Sequence, residues 1–218
     1  MTHPIALTSA SPSVTSPEIF VVDDDPAIRE ALGVVFEMEG FQVSGFAEGA
    51  SFVAAAHAHT PACILLDVHM PGRSGLDILK ELKADAYGAP IFMISGQGDI
   101  PLAVESIKYG ALDFIEKPFN AMTVVTRVRD AISAWARRQS ADQAPKQVRQ
   151  FPGRHLLTPR ECDVLDRISA GASNKEAGRD LGISPRTIEV HRARIMDKLG
   201  AKNAADLVRI VLSESSGQ

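Results

Sequence analysis

Five short runs of Val, Ile, Leu and Phe recur in the first 120 residues, each followed by a longer stretch with helical spacing. Few folds accept that alternation. The runs lie near 19–22, 41–45, 62–66, 90–94 and 112–116, and the helical periods near 26–39, 48–58, 75–84, 99–109 and 120–138. Strands that are apolar on almost every residue must be covered on both faces, as in a parallel sheet with crossover helices. The punctuation agrees with this: Pro26 suits the first turn of a helix and Gly40 its left-handed end. Gly88-Ala89-Pro90 and Tyr109-Gly110 break helices before the next strand. The expected fold of residues 18–138 is α/β, a five-stranded doubly wound parallel sheet.

The pattern then changes. Residues 139–154 are polar, contain Pro145, Pro152 and Gly153, and read as a linker into which the preceding helix can run. Residues 155–218 are wholly helical in pattern. Thr158-Pro159-Arg160-Glu161 combines an N-cap, a first-turn Pro and a capping-box Glu. A second short helix starts at Ser173-Asn174-Lys175-Glu176 and ends at Gly182. A third runs from Ser184-Pro185 to Gly200, and a fourth starts at Asn203. Two short helices joined by a tight turn, the second of them basic, make a small all-α helix-turn-helix domain.

Residues 1–17 are rich in Ser, Thr and Pro, lack the regions of a signal peptide, and are expected to be a disordered tail. With no apolar run long enough for a membrane span, a cytoplasmic protein without a membrane partner is expected. Cys63 and Cys162 read as buried free thiols. Charge is divided along the chain. Residues 18–138 hold ten basic and seventeen acidic side chains, and residues 139–218 hold thirteen and ten. An acidic first part and a basic last part suit a cation site followed by a polyanion partner.

Four of the apolar runs end in groups of one chemical theme: Asp23-Asp24-Asp25, Asp67, Ser95, and Lys117-Pro118. In an open parallel sheet, ligands sit outside the carboxyl ends of the strands, so these groups converge on one crevice. Clustered carboxylates suit Mg²⁺, and Mg²⁺ with a Lys suits a transferring phosphoryl group. A carboxylate at the Asp67 position can act as nucleophile and form an aspartyl phosphate. Ser95, one strand away, can donate a hydrogen bond to the phosphoryl group, and Phe114 is large enough to report that movement by repacking.

In the basic helix, backbone amides at its N-terminus, with Ser184 and Thr187, can meet phosphates. Arg186, Arg192, Arg194 and Lys198 can neutralise phosphates. Glu189, Val190 and Ala193 share a face that could reach base edges, whereas His191 can as well pack as read a base.

The segments Val21-Val22-Asp23-Asp24-Asp25-Pro26, Leu66-Asp67-Val68-His69-Met70-Pro71-Gly72, Ile94-Ser95-Gly96 and Asp113-Phe114-Ile115-Glu116-Lys117-Pro118 resemble those of the flavodoxin-like receiver domain of bacterial two-component response regulators. The resemblance implies Asp67 as phosphoacceptor, and Asp23, Asp24, Asp67 and the backbone carbonyl of His69 around Mg²⁺. It also implies Lys117 on the phosphate, with Ser95 and Phe114 as a switch pair. Leu157-Thr158-Pro159-Arg160-Glu161, Ala170-Gly171-Ala172-Ser173-Asn174-Lys175-Glu176 and Ile183-Ser184-Pro185-Arg186-Thr187-Ile188-Glu189-Val190-His191 resemble the LuxR-type DNA-binding domain, and add Asn174 and Lys175 to the expected DNA contacts. The combination is similar to the FixJ branch of the NarL class. What it implies is a regulator phosphorylated by a histidine kinase that binds double-stranded promoter DNA as a homodimer. It would not be an enzyme beyond its own phosphorylation and slow turnover.

Two rivals remain at this level: a phosphate relay or sink with a protein-binding tail, and a phosphorylation-independent DNA binder with a vestigial receiver. One departure stands out. Where the LuxR-type family usually has a bulky aliphatic residue and then Ala, this chain has Ala177-Gly178. Glycine inside a helix costs about 0.5–1 kcal/mol relative to Ala, so a loose domain stabilised by Gly178→Ala is expected.

Overall fold

A computed structural model of the chain describes residues 16–84, 86–96, 100–142 and 151–213. Apart from Ser16 and Pro17, the expected tail lies outside these residues, as does 143–150 of the expected linker. The first unit alternates strands and helices: β1 (Glu18–Val22), α1 (Pro26–Met38), β2 (Gln42–Phe46), α2 (Gly49–Ala58), β3 (Cys63–Asp67), α3 (Gly75–Glu81), β4 (Ile91–Ser95), α4 (Ile100–Lys108), β5 (Asp113–Glu116) and α5 (Ala121–Asp142). All pairings are parallel and the strand order is β2-β1-β3-β4-β5. The order reverses at β1, so the crevice lies between the carboxyl ends of β1 and β3.

The reasons for these boundaries are local. The Asp25 carboxylate caps α1 by accepting from the Ala27 amide at 2.8 Å, and Pro26 fills the first turn. Every residue of β3 and β4 is buried, as expected of strands covered on both faces. Four strands, β2 to β5, begin one residue later than expected. β3 and β4 also end one residue later, on Asp67 and Ser95, so these polar groups are the last rungs of the ladder rather than loop residues. The expected helix 75–84 stops at Glu81, and α5 continues to Asp142, four residues into the expected linker.

The second unit is a 3₁₀ turn (Arg154–Leu156) followed by α6 (Pro159–Ser169), α7 (Asn174–Leu181), α8 (Pro185–Leu199) and α9 (Ala204–Leu212). Thr158 with Glu161, and Ser173 with Glu176, form complete capping boxes. Ser184 caps α8 through the Thr187 amide, and left-handed Gly200 ends it. Val164, Ala177, Ile188 and Ile195 are fully buried in the small core between these helices.

Gly178 overturns the expectation that Gly178→Ala would stabilise the domain. A Cβ at this position would lie 2.7 Å from the backbone oxygen of Ile183 and 3.4 Å from the nitrogen of Pro185. The turn into α8 therefore folds directly onto α7 where only glycine leaves room, and the Gly178 carbonyl receives the Ile183 amide at 2.9 Å. Helix propensity is outweighed by this close approach. Gly178→Ala should lower stability by about 1–3 kcal/mol, as overpacking does. A urea-unfolding midpoint that rises in the variant would contradict this.

Candidate functional site

At the crevice, Asp23, Asp24 and Asp67 each offer a carboxylate oxygen within 4.8 Å of the others. Asp23 and Asp67 are buried, while Asp24 is exposed. Lys117 arrives from the end of β5 and bridges them, its Nζ donating to Asp23 Oδ2 and to Asp67 Oδ1, both at 2.9 Å. Burial pushes the Asp67 carboxyl above its ordinary range, more than Lys117 pulls it down, and the Asp23 charge adds to the rise. For Lys117, burial works downward, but the hydrogen bonds to Asp23 and Asp67 outweigh it and hold the ammonium above its ordinary value. Hard oxygen donors that repel one another, partly balanced by one ammonium, form a site suited to a divalent cation. Arg29 fixes the β1–α1 loop by donating to the backbone oxygens of Asp23 (2.7 Å) and Asp24 (3.0 Å).

The loop after Asp67 is tightly held. The His69 amide donates to Asp67 Oδ2 at 3.1 Å, and the Gly75 amide to the Val68 carbonyl at 3.0 Å. A Cβ on Gly75 would stand 2.0 Å from the Asp67 carbonyl oxygen, so α3 begins against the strand end only because residue 75 has no side chain. Ser95 is buried at the end of β4, paired in register with Glu116 of β5. Phe114 is buried two residues further in along the same strand pair, in register with Met93.

The second expected site is partly engaged with the first unit. Asp113 is a carboxylate wholly buried within β5. Its Oδ2 accepts from the Ser184 amide at 2.6 Å, its Oδ1 accepts from Ser184 Oγ at 2.9 Å, and Thr187 Oγ1 also donates to Oδ1. Arg127 of α5 donates to Asp113 Oδ2 at 2.5 Å. The donors expected to meet a phosphate at the start of α8 thus meet an internal carboxylate instead. Arg186 lies over the Phe114 ring, 5.3 Å from its centroid, and 3.9 Å from Glu116. Val190 packs against the apolar cluster that contains Phe114 and Ile107. Arg194 donates to the Ile107 carbonyl at 3.1 Å.

The remaining expected contacts divide into two groups. Lys198 donates to buried Glu161 at 2.7 Å, and Arg192 and Glu189 share Asn174 at 3.4 and 3.3 Å. Glu189, Ala193 and Lys175 are exposed, so the face expected to reach bases is split between solvent and the apolar cluster of the first unit. His191 is buried, the packing alternative of the two that its position allowed. Asp113 and Arg127 escaped the sequence reading as site residues. The available signal was a charge inside an apolar strand run, Leu112-Asp113-Phe114-Ile115.

Among the described residues no helix is long and apolar enough to cross a membrane. The family of response regulator receiver domains matches residues 19–129, and that of bacterial regulatory proteins of the luxR type matches residues 155–211. The transcriptional regulatory protein FixJ of Azorhizobium caulinodans is 40% identical over 195 residues, 89% of this chain and 91% of that protein. The C4-dicarboxylate transport transcriptional regulatory protein DctR of Rhodobacter capsulatus is 39% identical over 194 residues, 88% and 98% of the two chains. The crystal structure of full-length FixJ from B. japonicum superposes with a TM-score of 0.54 at 38% identity, covering 91% of this chain and 97% of that one.

His191 gives a test of this packing. Burial, then repulsion from Arg160 and Arg194, brings the ring down to about 3, against which Glu161 works only partly and Lys198 adds. An unfolded chain takes up this proton near the ordinary value of about 6.5. Stability from the neutral ring is therefore complete above that value and falls as pH drops below it, by up to about 1.4 kcal/mol per pH unit. The urea midpoint should decline between about pH 7 and about pH 5, and His191→Gln should flatten the decline. An unchanged slope in the variant would contradict the burial of an uncharged ring.

Proposed function

The chain belongs to the two-component response regulators of the NarL/FixJ class, transcription regulators with a receiver followed by a LuxR-type DNA-binding domain, and from that premise we propose how this one is switched. A histidine kinase donates the phosphoryl group. The Asp67 carboxylate attacks phosphorus, the bond to the donor nitrogen breaks, and an aspartyl phosphate forms. Lys117 then turns from the free carboxylate to the phosphoryl oxygens. Mg²⁺, for which the carboxylates of Asp23, Asp24 and Asp67 are suitable and to which the His69 carbonyl would add, supplies neutralisation of phosphoryl charge. Turnover of the acyl phosphate is slow self-hydrolysis, and the protein is not otherwise an enzyme. The chain acts in the cytoplasm, on double-stranded promoter DNA, as a homodimer when phosphorylated.

The observation that carries this reading is the contact between Asp113 and the start of α8. A helix N-terminus with Ser and Thr donors is a phosphate site, and an internal carboxylate occupies it here. DNA and the receiver therefore compete for the same donors, so the unphosphorylated chain is closed. Ser95 drawn toward the phosphoryl group leaves space that Phe114 can fill, and Phe114 is the residue after Asp113 and lies under Arg186. Repacking there loosens the Asp113 contacts and frees α8. Two released domains on paired receivers gain effective concentration on an inverted repeat.

Two expectations follow for DNA affinity measured by fluorescence anisotropy. Acetyl phosphate with Mg²⁺ should add one phosphoryl group to the wild type, seen by mass, and tighten DNA binding. Asp67→Asn should do neither. Asp113→Asn should tighten binding without any phosphodonor, by about tenfold or more if one charge-assisted hydrogen bond is lost. Equal affinities for Asp113→Asn and the wild type would remove the proposed closure.

A further inference from the structure

Between the two units lies a cavity of about 250 Å³, separate from the Asp67 crevice. Leu112 and Trp135 contribute apolar wall, and Arg138, Arg160, His191 and Arg194 contribute nitrogen. Most groups in such an interface have partners. Arg138 pairs with Asp163 at 2.9 Å, and Arg194 donates to the Ile107 carbonyl and lies 3.5 Å from Glu161. Glu161 is also held by Lys198, and Asp113 by Arg127 and α8. Besides Glu161 Oε1, which Arg194 faces at 3.5 Å without a hydrogen bond, two groups of the lining stand apart. His191 is 3% exposed and neither ring nitrogen has a hydrogen-bond partner. Arg160 donates through one terminal nitrogen to the Leu181 carbonyl at 2.8 Å, but its Nε is shut off from solvent and unpaired.

Buried polar atoms are nearly always satisfied, and leaving three unsatisfied beside one cavity is costly. The missing partner must accept hydrogen bonds from Arg160 Nε and from the one N–H of the neutral His191 ring. A negative acceptor fits best, because the guanidinium groups of Arg138, Arg160 and Arg194 all line the cavity. Burial, then repulsion from Arg138, brings Arg160 down to about 10, and burial with repulsion from Arg160 and Arg194 brings His191 down to about 3. The acids at hand already have cationic partners. A guanidinium recognises a carboxylate well, and the apolar wall asks for a hydrocarbon body.

We propose that this cavity binds a small organic carboxylate with an apolar body, received by Arg160 and His191 and packed against Trp135, and that its occupancy holds the two units together. The second half rests on the closure proposed above. The ligand would bridge residues of the receiver and of α6 and α8, so it binds the closed form better and shifts the balance away from DNA. It would thereby give the regulator a chemical input besides phosphorylation.

Trp135 is the chain's one tryptophan, so its fluorescence reports the cavity. The full-length unphosphorylated protein is titrated with benzoate, and with benzyl alcohol as an uncharged match in shape. Benzoate should give a saturable change and weaken DNA binding several-fold, and benzyl alcohol should do neither. Arg160→Met should weaken benzoate binding by about tenfold. Because Arg160 also satisfies the Leu181 carbonyl, the ¹⁵N shifts of the His191 ring in the wild type give a second readout, and they should move with benzoate. No saturable response, or an equal response to benzyl alcohol, overturns the site and leaves the cavity to water. Binding with no loss of DNA affinity overturns the link to closure. A chain that was never closed is distinguishable from either: its DNA affinity before benzoate would already equal that of Asp113→Asn.

Discussion

A carboxylate buried in the middle of a strand is expensive unless its oxygens are fully hydrogen-bonded, and Asp113 meets that requirement only with help from the other unit. Arg127 on Oδ2 and the Phe114 amide on Oδ1, at 2.9 Å, still leave oxygen valences open. The Ser184 amide, the Ser184 hydroxyl and the Thr187 hydroxyl fill them. The positive end of α8 adds its field to these bonds. The rest of the arrangement depends on this contact, because it sets which end of α8 faces the receiver. With that end fixed, Arg186 lies over Phe114, Val190 enters the receiver's apolar cluster and Arg194 reaches the Ile107 carbonyl.

The contact also lies on the strand that leads to the proposed phosphoryl site. Along β5 and just beyond it, Asp113 meets α8, Phe114 fills the core beside β4, Glu116 stands opposite Ser95, and Lys117 joins Asp23 to Asp67. Four residues thus connect the proposed site of covalent change to the proposed latch, with no need for a long path through the core. Moving such a balance from 1:99 to 99:1 takes about 5.5 kcal/mol. New hydrogen bonds to a phosphoryl group, each worth about 1.5–3 kcal/mol when charged, together with receiver pairing, are of that size.

Much of the fold can be read directly from the chain. Continuous apolar runs identify the parallel strands, and Asp25-Pro26, Thr158-Pro159 and Ser184-Pro185 mark helix starts that the capping bonds reproduce. The convergence of Asp23, Asp24, Asp67 and Lys117 is legible for the same reason, since the ends of parallel strands meet by topology alone. Gly178 is not legible, because its role comes from the Ile183 carbonyl across a turn, and helix propensity points the wrong way. Nor is the use of Ser184, Thr187 and Val190, which are equally suited to DNA and to Asp113. Their partner is decided by docking between units far apart in sequence, and no local pattern encodes it.

The most direct test of the central claim is amide hydrogen exchange at Ser184, whose N–H donates to Asp113 at 2.6 Å. In the unphosphorylated full-length chain this amide should be protected. On addition of beryllofluoride and Mg²⁺, or in Asp113→Asn, protection should fall as DNA binding tightens. Protection that stays unchanged while DNA binding tightens would contradict the account, since activation would then leave the start of α8 where it is.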